Sequence, residues 1–505
     1  MKSCFIRAIA LTLVFSFCLA FTACGKKKTK KYGGNATVGI TEEPSVLDPH
    51  AAFGSASEAV LCNIFEGLFK YDKNFKLNPC LATEYTISED ASEYTFTIRE
   101  GVYFHDGSEL DSADIVYSLK RAAGLLDGQN DIALVSALDG ISDVSVNPEG
   151  QVVVTLETPD STLLPYFTVA IIPDGAWNIS ETMIGTGPFK FESYDIGQSI
   201  VLSKNNNYWI SELPYLDSVT FTIYPDIETG FSDLQNGNVD ILPFITAEQA
   251  SQLDTSEFAI AKNSSSNIQM LALNNSAGPL KDVRVRQAIN YALNRDDIIA
   301  ATTFGYGDPL TTGMSPVMGS PYDRSLNGTY ARDLITAQAL MDQAGYSDGF
   351  TMTITVPDND PIQINTATVI SEQLSEIGIE ISIEQTDCET WVSDVYTHHN
   401  YEATVLTLNG SRTPYETLSN YHSGNSCNFI NYVNPDYDSI LSQIQTTSDE
   451  TTRNDLYHQL LRLLTDDAAS CYIQDPYSLG AENRRLAGYY IYPMNIVDMS
   501  KIHLR

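Results

Sequence analysis

One stretch, residues 351–385, constrains the fold more than any other part of the chain. Residues 351–356 alternate as a strand, 362–376 carry helical apolar spacing stopped by Gly378, and 379–385 form a second strand. Two strands joined by a helix over so short a length pair in parallel through a right-handed crossover. The same mixture runs from Gly33 onward. Strands are predicted at 36–41, 94–99, 151–157, 200–204, 219–224, 269–273 and 402–408, and helices at 57–69, 113–123, 282–293, 331–344, 435–445 and 450–466. Ser112 is the expected N-cap of helix 113–123. The class is therefore α/β. With 505 residues the chain exceeds one core, so two or three domains are expected.

The first residues set the compartment. Lys2 and Arg7 precede an apolar run over 8–21, which then gives way to Thr22-Ala23-Cys24-Gly25. A positive start and a short apolar core predict a secretory signal over residues 1–23. The small residues ending on cysteine resemble the lipobox of bacterial lipoproteins, with Phe21 in place of the usual leucine. That resemblance implies lipidation of Cys24 and a membrane anchor on the extracytoplasmic side. Residues 24–35 then form a basic tether through Lys26, Lys27, Lys28, Lys30 and Lys31. Lysines so placed attract anionic head groups at about 1 kcal/mol each. The formal net charge is −35, or −37 once Lys2 and Arg7 are removed, which argues against nucleic acid as a partner.

Catalytic signatures are missing. The seven histidines form no HExxH, and neither a GxSxG elbow nor a GxxxxGK[ST] phosphate loop occurs. No catalytic residue, metal site or cofactor is expected. After the signal and Cys24, five of the eight cysteines remain: Cys62, Cys80, Cys388, Cys427 and Cys471. No CxxC argues for zinc, and Cys62–Cys80 and Cys388–Cys427 are possible disulfides.

Several motifs then fall in order. Leu81-Ala82-Thr83-Glu84 leads to the run 94–107, Tyr-Thr-Phe-Thr-Ile-Arg-Glu-Gly-Val-Tyr-Phe-His-Asp-Gly. Residues 43–49, Gly185-Thr186-Gly187-Pro188-Phe189, Asn205 to Trp209, the Val-Arg-Gln-Ala helix over 283–295, and Asn434-Pro435-Asp436-Tyr437-Asp438 complete the set. Together they resemble the family 5 extracellular solute-binding proteins, the peptide- and nickel-type receptors of ABC importers, from about Ala36 to the C-terminus. The resemblance implies a periplasmic-binding-protein-like clam shell. Its first lobe is discontinuous, 36–273 with an inserted subdomain at about 56–181 plus the return 480–505, and its second lobe is continuous over 274–479. It implies a monomer that captures a small solute, oligopeptides first, and delivers it to permease subunits. Sugar, anionic metabolite and sensor readings stay open, and a secreted hydrolase is the contrasting class.

Most motif residues read as structural. Arg284 and Arg286 suit surface or interdomain ion pairs, Trp209 a packed domain corner, and His105 a turn-stabilising hydrogen bond. By analogy Glu42, Ser45 and Val46 lie on the first ligand-side loop. Trp391 is an aromatic candidate, with core packing as the alternative. The loop Asn409-Gly410-Ser411-Arg412, with Tyr415 beyond, is the informative place. Peptide-binding relatives carry an aspartate four residues before its proline, for the ligand's amino terminus, and this chain has Gly410 there. Arg412 offers a forked donor for a carboxylate instead.

Overall fold

The computed structural model describes residues 32–126, 133–492, 494 and 496–505. The expected signal, Cys24 and the lysines from Lys26 to Lys31 lie outside the described residues. Among the described residues no helix is long and apolar enough to cross a membrane.

A twelve-stranded mixed sheet runs through both lobes. Its centre is Cys471–Asn483, a thirteen-residue strand. The first part of that strand pairs with Ile268–Leu273 and Gly307–Pro309. Its later part pairs with Phe258–Ser264 and Ile241–Leu242. Beyond Ile268–Leu273 lie Ala403–Leu408, Phe350–Pro357 and Ile379–Thr386. Beyond Ile241–Leu242 lie Asn35–Ile40, Ser218–Ile223, Ser199–Lys204 and Phe189–Asp195. The chain therefore passes between lobes twice, at 265–267 and near 474–477. All six residues of Ile268–Leu273 are buried, as expected of a strand covered on both faces.

The predicted β-α-β unit is present. Phe350–Pro357 pairs in parallel with Ile379–Thr386 across the helix Pro361–Ser375. Asp360 caps that helix by accepting from the Ile362 and Gln363 N–H groups, with Pro361 at its first position. One cap differs from expectation. Asp111, not Ser112, caps the helix Ser112–Ala122, because Asp111 and Asp114 form a reciprocal capping box while the Ser112 hydroxyl donates to Gly150 O.

A separate antiparallel sheet, Ala82–Ile87, Glu93–Ile98, Val152–Leu156 and Ile141–Val146, has its own core around Tyr94, Phe96 and Phe167. The hairpin of Phe69–Tyr71 and Leu77–Pro79 points the other way. Its Tyr71 and Phe75 enter the core of the second lobe beside Met314, Leu418 and Tyr432.

The motif residues build this frame. Buried Glu66 accepts from Tyr208 OH (2.7 Å), Trp209 Nε1 (2.7 Å) and Thr186 Oγ1 (3.2 Å), so two motifs meet on one carboxylate. A side chain at Gly187 would strike the carbonyl oxygen of Ile64 at 2.6 Å. His105 Nε2 lies 3.0 Å from Gly187 O, tying one motif turn to another. Arg284 pairs with Asp282. Arg286 departs from expectation: it is buried and donates to Leu280 O, Asp467 O and Ala468 O rather than to a carboxylate. Neither possible disulfide forms. All five described cysteines are free thiols, with Cys62 packed on Val497 O and Cys80 on Glu66.

Candidate functional site

A cleft of about 950 Å³ lies where the chain crosses between lobes. One lobe supplies Phe244 to Ala247 and the other Trp391, Tyr396 and Thr407 to Ser411. The crossing segments supply Ser265, Asn267, Gln269, Gln474 and Pro476 to Leu479. The floor is a chain of hydrogen bonds. Thr303 Oγ1 donates to Gln474 Oε1 (3.1 Å), Gln474 Nε2 to Gln269 Oε1 (2.7 Å), Gln269 Nε2 to Gln363 Oε1 (3.2 Å), and Gln363 Nε2 to Thr407 Oγ1 (2.9 Å). Buried amides fully paired in this way stiffen the floor and join both crossing strands to the loop at 407–411. The sequence reading missed Gln269, Gln363 and Gln474. A lone polar residue inside an otherwise apolar strand, as in Ile-Gln-Met-Leu-Ala-Leu over 268–273, was the available signal.

Of the residues singled out from sequence, Trp391, Asn409, Gly410 and Ser411 line this cleft. The Trp391 indole N–H donates to Thr404 Oγ1 (3.1 Å), and its ring lies beside Tyr396, on a π-helical turn over Val392–Thr397. Such turns recur where a wall must be shaped for a ligand. Tyr415 packs against the core of its lobe. Glu42, Ser45 and Val46 are exposed on the first loop and stand outside the cleft wall. Ser45 is fastened to Ser57 and to Phe53 O.

Arg412 lines a second cavity of about 450 Å³ beside Glu58, Lys70, Tyr166 and Tyr492. Its Nη1 donates to Thr168 Oγ1 (3.1 Å), and its Nη2 lies 3.9 Å from Glu58. Its carbonyl accepts from Tyr71 OH (2.8 Å), and Tyr166 OH donates to Glu416 (3.1 Å). All of these partners except Glu416 belong to the first lobe, so the 412–416 segment clasps one lobe to the other. The acidic side chains lining the larger cleft are those of Asp360 and Glu416. No lysine, arginine or histidine is among its described residues.

Gly410 has a steric reason. A Cβ there would sit 2.6 Å from Ser265 O and collide with Ser266 Oγ, so no side chain fits without moving the crossing segment.

Comparison with known proteins gives the same picture. The family pattern of bacterial extracellular solute-binding proteins, family 5 Middle, matches residues 76–428. The glutathione-binding protein GsiB of Pectobacterium atrosepticum is 27% identical over 485 residues, covering 91% of this chain and 92% of that one. The ABC transporter substrate-binding protein CtaP of Listeria monocytogenes superimposes with a TM-score of 0.81 at 24% identity, covering 94% of this chain and 100% of that one. The binding protein AgaA from A.tumefacien R10, solved with agropinic acid, gives 0.69 at 27% identity, covering 94% and 99%. These are transport binding proteins and not enzymes. With two lobes, a cleft at their crossing and a match over most of its length, this chain belongs to the bacterial extracellular solute-binding proteins of family 5.

Proposed function

We propose that the protein captures oligopeptides, or a closely related small solute, in the 950 Å³ cleft and presents them to the permease subunits of an ABC importer. The chemistry of the walls carries this reading. Paired glutamine amides, the free-standing amide of Asn409 and the rings of Trp391 and Tyr396 suit a ligand with peptide groups and side chains. An anionic metabolite is disfavoured, since no cation lines the cleft while Asp360 and Glu416 do. Trp391, Asn409, Gly410 and Ser411 are the contacts assigned from the earlier candidates. The test is mass spectrometry of small molecules co-purifying with the protein, followed by calorimetry on what is found. Peptide masses support the reading, and a sugar or an organic anion as the sole saturating species would sink it.

Arg412→Ala is expected to weaken cargo binding about fivefold, whatever the charge of the cargo. It removes an interlobe clasp of roughly 1 kcal/mol at a half-exposed site. Calorimetry on neutral and anionic cargo separates the cases, because a loss confined to the anion would make Arg412 a direct ligand contact.

The protein works at the extracytoplasmic face as a monomer, anchored by lipid on Cys24 and helped by the lysines of its tether. Cys24→Ala is expected to shift it from the membrane fraction to the medium, as read by fractionation and immunoblot.

A further inference from the structure

We propose, resting on the peptide reading above, that the cleft corner at Gly410 recognises a hydrogen-bond acceptor on the cargo, the carbonyl of an acyl-capped amino terminus, and disfavours a free ammonium. The corner's own hydrogen bonds set its polarity. The Gly410 N–H donates to Asn267 Oδ1 at 2.6 Å. A carboxamide has one oxygen and one NH₂, so fixing the oxygen on a backbone donor fixes the flip of the group. The two N–H donors of Asn267 Nδ2 are left facing elsewhere. Asn267 is half-buried and lines the cleft, and its Nδ2 has no hydrogen-bond partner among the described residues. Beside it Ser266 is buried, holds a left-handed backbone (φ 62°), and leaves its hydroxyl without a partner. Ser266 lies behind the cleft wall rather than on it, so its strained backbone positions Asn267, and the open amide donors of Asn267 are what a ligand would complete.

What the corner lacks matters equally. A cargo ammonium carries donors only and asks for a carboxylate. Gly410 has no room for one, since a Cβ would meet Ser265 O at 2.6 Å. The two carboxylates on the cleft wall lie on other segments than 265–267, and each commits one oxygen to protein donors. Asp360 caps its helix through Ile362 N (3.1 Å) and Gln363 N (3.2 Å). Glu416 Oε2 accepts from Arg412 N (3.0 Å) and Tyr166 OH (3.1 Å). An ammonium at this corner would face N–H donors, whereas an acyl oxygen would accept from them.

The experiment is titration calorimetry of the whole protein with two probes, trialanine and N-acetyl-trialanine. The wild type is expected to bind the acetylated peptide at least tenfold more tightly. In Asn267→Asp one carboxylate oxygen still accepts from Gly410 N–H while the other becomes an acceptor for the ligand, so the preference is expected to swing at least tenfold toward trialanine. Equal or tighter binding of trialanine by the wild type overturns the inference and leaves the peptide reading standing. An unchanged ratio in a folded Asn267→Asp variant, checked by its melting curve, overturns it as well. The wild-type ratio decides alone should that variant not fold. Binding of neither probe removes this inference and the peptide reading together.

Discussion

Arg295→Ala is expected to destabilise the second lobe by about 4 kcal/mol, the range seen when a large buried side chain is cut away and several buried acceptors lose their donor. Arg295 is 6% exposed and opens the helix Arg295–Thr303. Its Nε donates to Leu310 O (2.7 Å) and Tyr472 O (2.7 Å), and its Nη1 to Tyr330 O (3.2 Å). Its Nη2 donates to Asn290 Oδ1 (2.9 Å). One guanidinium thus holds acceptors from four segments, among them the strand that crosses between lobes. Alanine leaves those oxygens buried and unpaired at about 1–3 kcal/mol apiece before relaxation, and opens a cavity as well. Set against a total stability of about 5–15 kcal/mol, the loss is large. Urea denaturation followed by far-UV circular dichroism measures it. Lysine should rescue little, because an ammonium cannot reproduce the planar fork. A midpoint unchanged within error would show that the carbonyls find water.

That arginine illustrates what the sequence disclosed and what it withheld. It sits in the Val-Arg-Gln-Ala stretch that betrayed the family, yet spacing alone assigned it no task. Local periodicity carried the β-α-β unit at 350–386 correctly, because helix and strand periods and their stop residues are local properties. Arg286 reads as a surface cation on a helix wheel. Its burial depends on Asp467 and Ala468, far along the chain, which no local pattern reveals. Glu66 was invisible for the same reason: it gains meaning only when Thr186, Tyr208 and Trp209 converge on it. At the site, the loop 409–411 was legible as a departure from a known motif. The amide floor was not, since a glutamine in a strand carries no signature of its partners. Asp111 escaped because two adjacent residues, Asp and Ser, compete for the same cap, although Asp114 three residues on completes a capping box with Asp111.

The second large effect is a pH dependence centred on Asp475. This aspartate is fully buried on the crossing strand, and burial pushes its carboxyl up from 3.8 to about 6. The hydroxyls of Ser264, Ser315 and Ser265 and the Ser265 N–H hydrogen-bond to it and pull partly back. Asp308 stands opposite it on the neighbouring strand and accepts from Tyr477 OH. Lys262 lies over the Tyr477 ring. The folded protein therefore keeps a proton on Asp475 at pH values where the unfolded chain has released it. From about pH 4 to pH 6 stability falls as pH rises, and the full penalty, about 3 kcal/mol for a shift of roughly two pH units, is present above pH 6. Asp475→Asn is expected to remove that slope and to be more stable than wild type at pH 7.5, with the gap closing toward pH 4. Because the chain carries a formal net charge of −35, acid also relieves general repulsion, so the readout is the difference between variant and wild type. Parallel melting curves across the range would show that the Asp475 carboxyl titrates alike in both states.

The thirteen-residue strand Cys471–Asn483 lends rungs to the sheets of both lobes. A polypeptide made and exported from its amino end reaches these residues only after the strands they pair with. Until they arrive, Ile268–Leu273 has lost a neighbour on one side and Ile241–Leu242 stands at an open border. Both halves therefore depend on the same late segment, and neither part of the sheet has its full set of strands before that segment docks.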